Sequence, residues 1–370
     1  MEIKTVAEIN QYSGSSVNPL ENPEQLYELY SVPSFETRYP EIVKGKDIGS
    51  TKITVEEGDV LVCKINPRIN RVWVVKHNTE YPLLASSEWI VVRNMNIDSN
   101  YLKWYFSSPT FRTLLNSQVA GIGGSLTRAQ PKQVAKYSVP VPSCSEQQKV
   151  SENLDKVNKL IALRKEQIAK LDQLVKSRFI ELFGSQCHNE KNYPYGKIDD
   201  VAEIYLGLTH TPEYIETGVK FISAKNTSCD YLDLSDVKYI SKEEYASAPA
   251  GAKPRKGDVI FSRVGSNLGH PVILDIDEEL CTFVSLGYLR TKGRVTNLYL
   301  KHWMRDDFFA EQVRRKVVGG GQPNLNTGWL KEFRIIIPPM DLQEQFVAFV
   351  EQTDKSKLAL QQSGEKPETF

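Results

Sequence analysis

The side chains of this sequence best suited to chemistry are cationic or carry amides, and they gather in short loops. Residues 64–71 (Lys64, Ile65, Asn66, Pro67, Arg68, Ile69, Asn70, Arg71) join two β-type runs and hold three cations, with Lys76 just beyond. Residues 262–267 form a second run of the same kind, with Arg263 and Asn267. Arg and Lys suit guanine edges and phosphate oxygens, and Asn suits the adenine edge. The competing assignment is a solvated hairpin tip. Two further polar stretches each follow a glycine turn: residues 125–130, with Arg128 and Gln130, and residues 322–326, with Gln322, Asn324 and Asn326. Simple turn chemistry accounts for these equally well. Lys225, Asn226 and Thr209 are weaker candidates for the same role.

Catalytic constellations are missing. The sequence has no GxxxxGK[ST], and its glycine runs 121–124 and 319–321 lack GxGxxG spacing and follow helical patterns. Asn18-Pro19 and Asn66-Pro67 lack the second proline and aromatic of an amino-methyltransferase pocket. His77, His188, His210, His270 and His302 never pair at i,i+3 or i,i+4, which argues against a metal site. No GxSxG elbow or recognisable cysteine nucleophile is present. The reading is a chain that catalyses nothing and holds no metal.

Composition sets the frame. With 46 Lys+Arg against 46 Asp+Glu and 40% hydrophobic residues in 370, the chain is globular and long enough for two or three domains. No segment is a basic arm, so a polyanion site must be assembled by folding. The five cysteines form no CxxC pair, which fits a reduced, cytoplasmic protein without structural zinc. The amphipathic start MEIKTVAEIN and the absence of an 18-residue apolar stretch predict neither secretory leader nor membrane span.

The elements that carry these loops come in two copies. Val6-Ala7-Glu8-Ile9 recurs as Val201-Ala202-Glu203-Ile204, Gly58-Asp59-Val60 as Gly257-Asp258-Val259, and Tyr101-Leu102-Lys103 as Tyr299-Leu300-Lys301. Gly121 and Gly123 recur as Gly319 and Gly321, and 139–142 before Glu146-Gln147-Gln148 as 336–339 before Gln343-Glu344-Gln345. The offsets of 195, 199, 198, 198 and 197 identify a duplication. Each copy predicts strands (60–65, 71–75, 89–93; 259–263, 271–274, 283–289), then helix (101–106 and 111–118; 298–316), a glycine turn and an exit strand ending in proline.

Beyond each proline the period changes. Val150, Leu154, Val157, Ile161, Ile168, Leu171, Val175 and Leu182 fall on a/d heptad positions, with no Gly or Pro before Gly184. A rod over 146–183, with Ser145 as N-cap and Gly184 as stop, is therefore predicted, packed as a coiled coil. The second copy starts alike from Leu342 through Phe346 and Phe349, and is expected to break early at Gly364 and Pro367. Predicted boundaries are 1–141 and 185–337 for the domains, 142–184 and 338–370 for the helices.

The two-copy plan, the helix opening SEQQKVSENLDKVNKLIALRKEQIAKLDQLVKSRFIELFG, the second opening PPMDLQEQFVAFVEQTDKSKLALQQS and the entry VAEIYLGLTHTPEYIETGVKFIS resemble the DNA-specificity subunit of type I restriction–modification systems. The resemblance covers nearly the whole chain. It implies an α+β architecture of two mixed target-recognition domains joined by long antiparallel helices. It further implies that each domain reads half of a bipartite site in double-stranded DNA and that the helices bind two methyltransferase subunits. S-adenosylmethionine, ATP and magnesium would then sit on the methyltransferase and restriction–translocase partners. The short second helix departs from the family pattern. It opens a second expectation: a scaffold that self-associates through the uncovered part of the first helix, or sequesters partners.

Overall fold

The computed structural model describes residues 1–117, 119–120, 127–265, 267–316 and 324–365. The chain divides into two compact units, 1–162 and 163–370, and the helix Cys144–Phe183 gives part of its length to each.

In the first unit, Glu2–Thr5 pairs antiparallel with Ser138–Val141, bringing entry and exit strands together. Val60–Cys63 is the middle strand of a three-stranded antiparallel sheet, between Val72–Val74 and Trp89–Val92. Both faces of this strand are covered, which is why VLVC is apolar throughout rather than alternating. Val60 and Val62 face the helices Ser99–Ser107 and Pro109–Ser117 through Leu102, Phe106 and Phe111, while Leu61 and Cys63 face Tyr30, Trp73 and Trp89. A five-stranded mixed sheet formed by residues 16–17, 52–54, 83–85, 26–30 and 41–44 completes the unit.

The second unit repeats the plan. Tyr195–Lys197 pairs with Arg334–Ile336, and Val259–Ser262 lies between Pro271–Ile273 and Leu286–Thr291, whose far side carries Ala202–Leu206. The expected single helix over 298–316 is two helices, Asn297–Met304 and Asp307–Lys316, as in the first unit.

Cys144–Phe183 is 40 residues long, about 60 Å at 1.5 Å per residue. Its N-cap is Ser143, not Ser145. The Ser143 hydroxyl accepts from Glu146 N at 3.4 Å, and the Glu146 carboxylate accepts from Ser143 N at 3.0 Å. This is a reciprocal capping box whose S-x-x-E signature is present in the sequence. Gly184 ends the helix at φ 71°, its N–H donating to Ile180 O at 2.7 Å.

The heptad register holds in the later part of this helix. Val175 and Leu182 are buried, and Ile168 and Leu171 half-buried. Phe179 and Phe183, outside the a/d set, are buried too, and both ring centroids lie within 5.5 Å of that of Phe346 on the second long helix, Met340–Glu365. Phe349 is half-buried, with the Arg178 guanidinium 5.8 Å from its ring centroid. Lys357 Nζ reaches Asp172 at 2.6 Å, so pairs advance along one helix as they retreat along the other: the packing is antiparallel.

Over 144–162 the expected seam is not the buried face. Val150, Leu154, Val157 and Ile161 are 39, 38, 51 and 46% exposed. The column turned inward is polar: Gln147 and Ser151 are buried and Asp155 half-buried, spaced i,i+4. Hydrogen bonds to the preceding domain, not apolar burial, set the rotation of this stretch. The expected break at Gly364 is also absent, because the helix runs through it to Glu365; Pro367 lies outside the described residues.

Candidate nucleic-acid interface

The structure joins the two loop stretches of the first domain. Lys64 O accepts from Ala129 N at 2.9 Å, Asn66 N donates to Thr127 O at 3.0 Å, and Ile65 bridges Arg128. Asn66 and Asn70 bracket one 3-10 turn, Pro67–Ile69, at φ 48° and 50°, a left-handed conformation that Asn tolerates better than most residues. Asn70 Nδ2 donates to Phe106 O at 3.1 Å, fixing the turn to the helical layer. The buried amide oxygens of Asn66 and Asn70 find no hydrogen-bond partner among the described residues. The turn holds Arg68 and Ile69 outward, with Ile69 55% exposed.

Not every candidate of this loop pair presents an open side chain. Lys64 is half-buried, and Arg71, mostly buried, pairs with Glu36 at 3.3 Å. Arg128 is exposed and lies on Glu88 at 3.2 Å, and Gln130 is exposed.

The second domain repeats the backbone arrangement. Arg263 O accepts from Leu325 N at 2.8 Å and Val264 bridges Asn324; Arg263 N donates to Ser285 O at 2.8 Å, as Lys64 N does to Glu88 O at 2.9 Å. The Arg263 side chain, expected to reach a base, is turned to a different task. Its Nε donates to Leu325 O at 3.3 Å and its Nη1 to Val284 O at 3.0 Å. Burial pushes this guanidinium below the usual arginine range. It ties the two loops together. Asn267 and Asn324 are exposed, whereas Asn326 caps the helix Thr327–Lys331 through Gly328 N at 2.7 Å. Gln322 lies outside the described residues.

Sequence reasoning missed the residues that hold the loops' platform. Asp59 and Asp258, 1% and 3% exposed, grip Arg93 and Arg290. Tyr12 and Tyr205 lie beside those guanidiniums, 5.4 and 5.1 Å from ring centroid to Cζ. Gln147 Oε1 accepts from Asp98 N at 2.9 Å while its Nε2 donates to Pro142 O at 2.9 Å. Gln343 does the same for Thr296 N at 2.8 Å and Pro338 O at 2.9 Å. The signal was available: Gly-Asp-Val and the Gln run are both repeat markers.

A family model described as the type I restriction modification DNA specificity domain matches residues 2–173 and 188–368. The chain belongs to that family. It carries two copies of the specificity domain, and the matched segments contain both loop pairs. Among curated relatives, the type I restriction enzyme MjaVIII specificity subunit of Methanocaldococcus jannaschii is 20% identical over 315 residues, covering 80% of this chain and 72% of that protein. The EcoKI specificity subunit of Escherichia coli K12 is 19% identical over 276 residues, 69% of this chain and 58% of that protein. The fold is similar to a chain solved in work on assembly and conformational transition of the type I R-M system (TM-score 0.60, 18% identity, 98% of this chain and 92% of that one). It is also similar to the S subunit of M. genitalium (TM-score 0.52, 11% identity, 98% and 91%). This type I specificity chain has, among its described residues, no helix long and apolar enough to cross a membrane.

Proposed function

We propose that the chain is the non-catalytic reading subunit of a type I complex. Each domain reads one half of a bipartite double-stranded site through its joined loops, and the long helices dock two methyltransferase subunits. S-adenosylmethionine, ATP and magnesium belong to those partners and to the restriction–translocase subunits. One observation carries this reading: two loops rich in Arg, Lys, Asn and Gln are held side by side by corresponding backbone hydrogen bonds in both domains. A duplicated reader on one chain suits the pseudo-two-fold of a duplex, and diverged loops allow two unlike half-sites. The exposed apolar row Val150, Leu154, Val157 and Ile161 supports helix docking by a partner.

The test compares methylated sites in the genomes of strains with and without the gene. Loss of one bipartite adenine-methylation motif on deletion is expected, restored by the chain together with a methyltransferase subunit. Identical methylation in both strains overturns the reading. Methylation or cleavage by the rigorously purified chain alone overturns the non-catalytic assignment.

A further inference from the structure

The repeat places a cavity beside the helical layer of each domain, and the two cavities have opposite charge. That of the first domain, about 620 Å³, is lined by Arg38, Tyr39, Trp73, Lys76, Lys103 and Asp155. In the second domain Ile273, Leu298, Lys301 and Glu351 stand where the first has Val74, Asn100, Lys103 and Asp155, at offsets of 196 to 199. There the lining adds Asp275, Glu344 and Asp354 and is acidic. Lys76 corresponds to Asp275 at an offset of 199, so the fold accepts either sign at that position and the Lys76 cation is not demanded by packing.

Lys103 sits on Asp155 at 2.8 Å, whereas the other two cations, Arg38 and Lys76, have no carboxylate within ion-pair distance among the described residues. Both are held in place by other means. Arg38 adopts φ 61°, a conformation uncommon for a long side chain, with its guanidinium 3.8 Å from the Phe35 ring centroid. The Lys76 backbone is clamped by the Tyr30 hydroxyl, which accepts from its N–H at 2.9 Å and donates to its carbonyl at 2.5 Å. Tyr39 stands beside them, 72% exposed. The cavity adjoins the reading loop, because Glu36, two residues before Arg38, holds Arg71.

We propose that Arg38 and Lys76 bind backbone phosphates of the DNA flanking the half-site read by residues 64–71. The proposal rests on the DNA-reading function above. Phosphate contacts fix register and carry no base identity, so this site adds affinity to one half of the target without changing its sequence. The acidic cavity of the second domain takes no phosphate.

The experiment measures duplex binding by the full chain in its methyltransferase complex across a salt series, for wild type, Arg38→Ala, Lys76→Ala and Lys76→Glu. Each alanine variant should weaken cognate and random DNA by the same factor, roughly three- to tenfold near ~0.1 M salt, and make the slope of log K against log salt shallower by about 0.9 per phosphate lost. The methylated sequence should not change. Lys76 is exposed, so its variants fold whatever becomes of Arg38. Unchanged affinity and slope in the variants, beside a wild type that binds its site specifically, overturn the phosphate site and leave the reading function standing. A changed base preference at the first half-site overturns it in favour of base contact. Failure of the wild-type complex to prefer any site overturns the reading function instead.

Discussion

Arg93 grips Asp59 through two bonds of 2.7 Å, Nε to Oδ1 and Nη2 to Oδ2, and Arg290 grips Asp258 in the same fork at 3.0 and 2.7 Å. The duplication thus reaches down to individual hydrogen bonds. Both pairs sit at the foot of the middle strand that launches the reading loop, Val60–Cys63 or Val259–Ser262. Pairing raises both guanidiniums above the usual arginine range.

Removing one partner should therefore cost far more than removing both. Asp59→Ala leaves a largely buried guanidinium with Glu56 as its remaining ion-pair partner among the described residues, and about 3–5 kcal/mol of stability should be lost. The double change Asp59→Leu with Arg93→Met should cost much less. Denaturant unfolding followed in the two variants checks this; equal losses would show that the unpaired guanidinium is not what costs the stability.

The reading loops make unequal predictions for two arginines. Arg68→Ala removes an exposed side chain, so binding to the cognate site should fall by about 1–3 kcal/mol. Arg263→Ala strips donors from Leu325 O and Val284 O, so it should lower stability as well as relax the half-site read by the second domain. Paired melting and binding curves separate the two. Unchanged binding in Arg68→Ala, or no loss of stability in Arg263→Ala, contradicts these roles.

Insertion of one heptad after Ile161 should lengthen the rod by roughly 10 Å, about three base pairs, and alter the unread spacer while both half-sites stay the same. One inserted residue rotates everything beyond it by about 100°; Val175, Phe179 and Phe183 turn together with Phe346 and Val350, so that cluster stays intact, and methylation of the bipartite site should be lost. Sequencing the methylated sites of both variants is the measurement. An unchanged spacer in the heptad variant would mean that partner subunits, not the rod, set the distance.

His302 gives the second domain a pH dependence. Desolvation, reinforced by Arg305, Lys301 and Lys357, pushes its imidazole down to about 3, and its ring lies 5.0 Å from that of Phe346. The folded pKa is depressed below the unfolded value of 6.5, so the unfolded chain takes up a proton that the folded chain refuses. Its stability contribution is intact above about pH 6.5 and is lost as pH falls toward 3, with a slope of at most about 1.4 kcal/mol per pH unit. His302→Phe should flatten that part of the profile. Urea unfolding at pH 7, 5.5 and 4.5 checks it, and an equally steep profile in the variant would assign the acid sensitivity elsewhere.

Sequence alone determined what repeats and what alternates. Marker tripeptides at a near-constant offset gave the two-domain plan; apolar runs bounded by Gly, Pro and Asn gave the strands that carry the loops; the heptad and Gly184 gave the rod and its end. These are short-range signals, written in composition and period. Residues 10–57, which build most of a mixed sheet, were not legible, because their strands are short and pair with partners up to 55 residues away. The tertiary structure alone decided which face of the rod is buried, since the polar column Gln147, Ser151 and Asp155 wins the first stretch by hydrogen-bonding Asp98, Lys103 and Trp104. It also decided that Arg263 braces two loops while Arg68 stands outside them. Both residues have the same side chain in similar loops. What differs is the pair of carbonyls, Val284 O and Leu325 O, that folding brings within reach of one guanidinium.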